Sequence, residues 1–421
     1  MTATASRTTT DYSIAVLTPS NIERPATPEA VAVVLGRASE AGQAVIPWGA
    51  GTKQRQGNAP RAYDVALDVS GMNELLEYEP ADLVVTVQAG VTLAALQARL
   101  AESGQFLPLD PPYAQRATIG GTLATNASGP SRLLHGTARD LVIGLRVATP
   151  QGEIVKSGGK VVKNVVGYDL NKLHVGGMGT AGVIVEATFK VHPLPAAQAT
   201  IAATFQQLAT AHAAAGRITR SFLYPRAVDL VRNIDGKGTS TGWTVLTWSA
   251  GSPATVDRQA RDVAQWCSEG GATHVERLDG EAHDAVWASV IESGRDEPGA
   301  MALVKLSCLP SQLPALIAEV DRHAGSSPPV PLVAHAGNGV VYVRLPGATL
   351  ETVRRIAAAT HELGGSAILE DAPDALKAQV DAWDPSGLAA RRRDDFDLMR
   401  AIKTQFDPNS TLNPGRFVAG I

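Results

Sequence analysis

The sequence predicts an α+β protein built in two parts, and three observations lead there. Residues up to about Pro195 run as strands and helices joined by turns unusually rich in glycine. Beyond Pro195 the texture changes, and strands alternate with alanine-rich helices. From about Asp394 the chain is helical again and then turns irregular at Asn413-Pro-Gly-Arg416. The parts are accordingly 1–195, 196–394 and a closing segment 395–421, with no repeat of fixed period in any of them.

In the first part, Pro28–Ala41 has apolar residues at helical spacing, with Thr27 as cap and Pro28 at the first helical position. Ala44–Trp48 reads as a short buried strand running into the glycine turn Gly49–Lys53. Val65–Val69 and Leu83–Gln88 read as further strands, and Thr92–Ser103 as a helix capped by Thr92. Leu141–Thr149 and Glu153–Lys156 form a hairpin across Pro150-Gln-Gly152, and Val183–His192 is an alternating strand. In the second part the strands are Gly242–Ser249, Met301–Ser307 and Val340–Leu345. The helices are Gln206–Ala215, Arg258–Glu269, Leu313–His323 and Leu350–Leu363. That order implies a layer of helices on one face of a sheet.

Composition narrows the function. The formal net charge is −4 with both signs mixed and no basic stripe, which argues against a nucleic-acid partner. Met1–Thr10 lacks the apolar run of a signal peptide, and no stretch approaches the length of a transmembrane helix. Cys267 and Cys308 are too few and too far apart for an iron–sulfur cluster or a metal knuckle, and read as a reduced cytosolic pair.

The chemistry concentrates in 118–182, about one fifth glycine against 40 in 421 overall. Gly177-Met-Gly-Thr-Ala-Gly182 has the spacing G-x-G-x-x-G, but a β-branched run, Val183–Phe189, follows it where a dinucleotide fold needs a helix. Gly159-Lys160-Val161 fails as a Walker loop for want of Ser or Thr. Two loops remain that could cradle phosphate on bare amides without a helix, Gly49–Lys53 and Thr118–Gly129.

Taken in order, these pieces resemble the FAD-binding flavoproteins typified by vanillyl-alcohol oxidase and the D-2-hydroxyacid dehydrogenases. Pro47-Trp-Gly-Ala-Gly-Thr-Lys53 is similar to the family's pyrophosphate loop, and Val87-Gln-Ala-Gly-Val91 to the strand-turn after it. Asp110-Pro-Pro112 and Thr118-Ile-Gly-Gly-Thr-Leu-Ala-Thr-Asn126 resemble its central flavin segment, and Gly179-Thr-Ala-Gly-Val-Ile184 the strand along the cofactor. Phe406-Asp-Pro408 and Leu412–Phe417 resemble its C-terminal return to the flavin domain. Gly136–Arg146 and Lys160–Leu170 bring the likeness nearer to the FAD-binding E-type subunits of bacterial glycolate oxidases.

The resemblance implies a two-subdomain PCMH-type FAD-binding domain with an α+β, ferredoxin-like cap that covers the flavin. It implies FAD contacts at Pro47, Trp48, Gly49, Ala50, Gly51, Thr52, Lys53, Gln54, Pro111, Thr118, Ile119, Gly120, Gly121, Ala124, Thr125, Ser128, Gly129, Gly182, Val183 and Ile184. No histidine stands in the pyrophosphate loop, so non-covalent FAD is expected. It further implies a small 2-hydroxy acid substrate, a sister flavoprotein subunit, an iron–sulfur subunit, and a cytoplasmic location with peripheral membrane association through partners.

The catalytic candidates are His335, Tyr168 and Arg416. His335-Ala-Gly-Asn-Gly-Val-Val-Tyr342 keeps the first histidine of a metal-binding motif, but has Asn338 for its Asp and Tyr342 for its second histidine, so no metal is expected. His335 is then a base or a turn histidine. Tyr168 lies near the flavin or is an ordinary buried tyrosine. Arg416 meets the reduced flavin or a carboxylate, or makes a surface ion pair. Lys305 meets a substrate carboxylate or is solvated, and Trp287 and Trp383 are core or interface anchors. Two functions compete: oxidation of glycolate or a similar acid, and a flavin-bearing relay or structural subunit beside a catalytic sister.

Overall fold

The computed structural model describes residues 7–160, 168–234, 242–387 and 393–421. Most of Lys160–Leu170 therefore lies outside the described residues. The chain divides into two compact units. The first holds residues up to Ala127, Thr137–Pro193 and the C-terminal segment from Arg391; the second holds Ser128–Gly136 and Leu194–Ala390.

Two sheets organise the first unit. A small parallel sheet orders Asn21–Glu23, Val65–Asp68 and Val45–Trp48, with Val65–Asp68 central. Pro28–Glu40 packs its Val31, Leu35 and Ala38 on this sheet and starts where the Thr27 side chain accepts from the Ala30 amide. Such a cap contributes about 1 kcal/mol. The second sheet has five antiparallel strands in the order Leu75–Glu79, Val84–Gln88, Val183–Lys190, Val142–Ala148, Ile154–Gly158. Its Val85, Val87, Leu145 and Phe189 share a core with Leu93–Ala101 and Ile119–Thr125. That last helix corrects the sequence reading of 118–129 as a helix-free loop. Thr118 is extended and caps the Gly121 amide, while Gly120 lies against Ala89, where a Cβ would come within 2.8 Å. The two glycines therefore admit close packing and do not break the helix.

The C-terminal segment is woven into the first sheet. After the helix Arg393–Phe406, the Val45 amide donates to the Thr411 carbonyl and the Asn413 amide to the Val45 carbonyl. Buried Lys403 fixes the crossing: its ammonium donates to Asp407 Oδ2 at 2.5 Å and to the Thr180 and Leu412 carbonyls at 2.8 Å. All three ammonium donors are used, which is what a buried charge needs.

The second unit is one eight-stranded antiparallel sheet built from strands between Ala197 and Asp371. Leu208–Thr219, Pro253–Glu269, Leu313–Ala324 and Leu350–Glu362 cover one face, against Ile201, Phe205, Val228, Leu230, Val304 and Leu306. The expectation of helices on one face alone fails at Gly280–Glu292, whose Trp287 and Val290 pack on the other face with Ala202, Leu246 and Val333. Trp287 is a core residue, stacked on Trp248 at 4.9 Å. The sequence reading also missed strands such as Ala227–Arg232 and Leu332–His335, which are short and buried on both faces.

Lys403→Met should lower unfolding stability by about 3 kcal/mol, because it leaves the Asp407 carboxylate buried without its cation. Lys403→Met with Asp407→Asn should recover part of that loss, because the neutral side chain can still accept from the buried Thr411 amide through Oδ1. Thermal or denaturant unfolding of both variants checks the pair.

Candidate functional site

In the first unit, three stretches distant in sequence line a cavity that opens to solvent. Its lining comes from Pro47–Gln54, from Thr118, Gly120, Gly121, Ala124 and Thr125, and from Met178, Gly179, Val183 and Ile184, with Asn413 and Arg416 of the tail.

The loop after Trp48 supplies the polar wall. Among the described residues, the successive amides of Gly49, Ala50, Gly51 and Thr52 donate to no protein acceptor. A run of outward amides is a concavity for an anion. Gly51 sits at φ +79°, and its Cα lies so close to the Trp48 indole that a Cβ would approach the ring at 2.8 Å. Gly49 is pressed on Thr118 in the same way. By contrast, the amides that open Ile119–Thr125 already have partners: Ile119 donates to Val91, Gly120 to Ala89 and Gly121 to Thr118 Oγ1. The amides without a protein acceptor thus lie in the loop, and the short helix forms a close-packed wall.

Arg416 holds that loop from behind. It is 1% exposed, and its Nη1 donates to Gln54 Oε1 at 2.6 Å while Nη2 donates to the Gln54 and Gln56 carbonyls at 2.7 Å. Burial lowers its pKa to about 10. The alternative of a surface ion pair is thus excluded by its burial, and the guanidinium is engaged with backbone and amide oxygens. Gln54 Nε2 closes the loop on the Pro47 carbonyl at 2.8 Å, and Asn413 Nδ2 ties the tail to the Met178 carbonyl at 2.6 Å.

Most of the expected FAD residues meet at this cavity. Pro111, Ile119, Ser128, Gly129 and Gly182 are not part of its lining. Ile119 is fully buried in the core, Gly182 backs onto Val147 of the sheet, and Ser128 and Gly129 group with the second unit. Val69 lines it without having been singled out, and Met178, Gly179 and Asn413 line it from quoted motifs without having been named as FAD contacts. Met178 and Asn413 carry positive φ, +53° and +47°, a backbone feature a sequence does not announce.

The other catalytic candidates lie elsewhere. Tyr168 is 94% exposed, which rules out the buried-tyrosine alternative, and it does not line the cavity. His335 ends the strand Leu332–His335 of the second unit, directly across from Asp229. Its Nδ1 lies 2.9 Å from both Asp229 carboxylate oxygens, and both residues are buried. The Tyr342 ring stands edge-on to the imidazole at 5.7 Å. Asp229 was missed, since nothing in Ala227–Arg232 marks it from sequence. Lys305 projects from the same sheet face as Tyr342, its register partner. Among the described residues no group of three His, Cys, Asp or Glu side chains is placed to hold a metal ion.

Comparison with known proteins places this geometry. Residues 19–158 match the FAD binding domain family, and 194–417 match the FAD linked oxidases, C-terminal domain. The chain is 28% identical over 431 residues to glycolate oxidase subunit GlcD of Bacillus subtilis, covering 95% of this chain and 89% of that one. It is 43% identical over 132 residues to glycolate oxidase subunit GlcE of Escherichia coli, covering 31% and 38%. The crystal structure of p-cresol methylhydroxylase with substrate bound superposes with a TM-score of 0.71 at 17% identity, covering 94% of this chain and 88% of that one. The fold is the PCMH-type FAD-binding fold, and the cofactor is FAD. The loop Gly49–Thr52, whose amides have no protein acceptor, lies within the stretch matched by the FAD binding domain family.

Arg416→Lys should weaken FAD binding at least about tenfold while leaving the fold intact, because an ammonium cannot reproduce the planar fork. Gly49→Ala should do the same by pushing the loop off Thr118. Titration of apoprotein with FAD, followed by flavin fluorescence, measures both; wild-type affinity in either variant would contradict this account of the loop.

Proposed function

Since the chain belongs to the FAD-linked oxidases, we propose that it oxidises a small 2-hydroxy acid of the glycolate type to the 2-oxo acid. The observation that carries this reading is the buried His335–Asp229 pair. The carboxylate accepts the Nδ1 proton, which fixes the tautomer and leaves the Nε2 lone pair as the proton acceptor. FAD, when bound, would supply the two-electron acceptor for the hydride of the alcohol carbon. His335 would take the hydroxyl proton, so that proton and hydride leave together and a carbonyl remains. Lys305 is the cation for the substrate carboxylate: among the described residues it has no ion-pair partner, and it lies in register with Tyr342 beside the imidazole.

The likeness to both glycolate oxidase subunits supports a place in a multi-subunit complex. Electrons would then leave to an iron–sulfur partner. Any membrane association runs through partners, because among the described residues no helix is long and apolar enough to cross a membrane. A second reading, a flavin-bearing relay subunit, draws on Tyr342 and Asn338 standing where the related motif has a histidine and an aspartate.

Anaerobic addition of glycolate to the purified holoprotein should bleach its flavin absorbance. His335→Gln should retain full flavin content and slow bleaching by about 10²- to 10⁴-fold; Asp229→Asn should slow it through the wrong tautomer. A flavin that no 2-hydroxy acid bleaches, but that restores turnover with partner subunits, would establish the relay reading.

A further inference from the structure

The nine residues Ser128–Gly136 leave the flavin-binding half of the sequence and group with the second unit. They pack on the strand that carries Asp229 and on the turn that follows His335. The short helix Arg132–His135 packs on the strand Ala227–Arg232, which carries Asp229. Ser131, fully buried, accepts a hydrogen bond of 2.7 Å from Nε of Arg226, the residue before that strand. On the other side, Leu133 presses on Gly337, two residues beyond His335. A Cβ on Gly337 would meet the whole isopropyl group, with Leu133 Cδ2 at 3.1 Å, Cγ at 3.3 Å and Cδ1 closer still.

The turn itself is tight. The Asn338 and Gly339 amides both donate to the His335 carbonyl, at 3.2 and 3.0 Å, and the Ala336 amide to the Val228 carbonyl at 2.9 Å. Gly339 has φ +73° and leaves no room for a Cβ against the Cys308 carbonyl. One wall of the turn is thus backbone, which cannot yield, and the other is the Leu133 side chain. Gly337 has no positive φ to explain it, so the close approach of Leu133 is what requires glycine there.

We propose that Leu133, seated on Gly337, is a positioning residue that sets the angle at which the turn presents His335. This rests on His335 being the base. Gly337→Ala fills the space Leu133 occupies and must move either the leucine or the turn. A misplacement approaching 1 Å slows chemistry by up to about 100-fold.

In the holoprotein, Gly337→Ala should keep its flavin stoichiometry and slow anaerobic reduction by glycolate by about tenfold or more. Adding Leu133→Ala should recover most of that loss, because the truncated side chain makes room for the new methyl; a double variant of this kind isolates the pairwise coupling. Leu133→Met alone should stay within about threefold of wild type. A readout that needs no turnover is the NMR chemical shift of the His335 ring, with His335→Gln to assign it. The ring signals should move in Gly337→Ala and return in the double variant. Unmoved signals, or a double variant no faster than Gly337→Ala, overturn the positioning role. If His335→Gln is itself unimpaired, the base assignment falls, whereas an impaired His335→Gln beside an unimpaired Gly337→Ala removes the positioning role alone.

Discussion

A guanidinium sealed from water is stable only if oxygens surround it, and Arg416 takes three from Gln54 and Gln56 of one loop. Those oxygens point back into the protein. Between Trp48 and Gln54, four amides in succession, Gly49 to Thr52, donate to no protein acceptor, and their residues line the cavity. The loop thus has two faces of opposite polarity, with the acceptors held by the C-terminal tail and the donors left for the cofactor.

This constraint makes the tail part of the site although it lies hundreds of residues from the loop. Lys403 and Asp407 hold the crossing, Thr411 and Asn413 pair with Val45, and Asn413 ties the tail to Met178. Each contact is made by the backbone or by a buried, fully engaged polar side chain. The assembly therefore forms only once both ends of the chain are in place, and flavin binding reports on that closure.

The flavin site was legible in the sequence because glycine has few reasons to recur at short intervals. Gly49, Gly51, Gly120 and Gly121 are each required by a positive φ, a close approach or the lining itself. What was not legible depended on tertiary packing. Ile119–Thr125 contains two glycines and two threonines, poor helix formers, and is helical because Thr118 caps it and Ala89 and Val91 receive its first amides. Arg416 looked like a group for ligand or solvent, since an isolated arginine in a turn gives no sign of burial. Asp229 sits in an apolar strand and gains its meaning only from antiparallel register with His335.

The second unit follows a different logic from the first. Its sheet face under the four helices is apolar, while the other face carries Asp229, His335, Tyr342 and Lys305 on four neighbouring strands. Alternation along a strand makes such a face inexpensive to vary: residues 228, 230, 304 and 306 keep the core, and the residues between them are free to carry chemistry. Tyr342 fits this picture, because it stands on the chemical face while Val341 and Val343 beside it stay in the core. On the proposed reading, a carboxylate that accepts from Nδ1 holds the imidazole in one tautomer. The buried His335–Asp229 pair is therefore the arrangement by which this face would abstract a proton with groups of the protein.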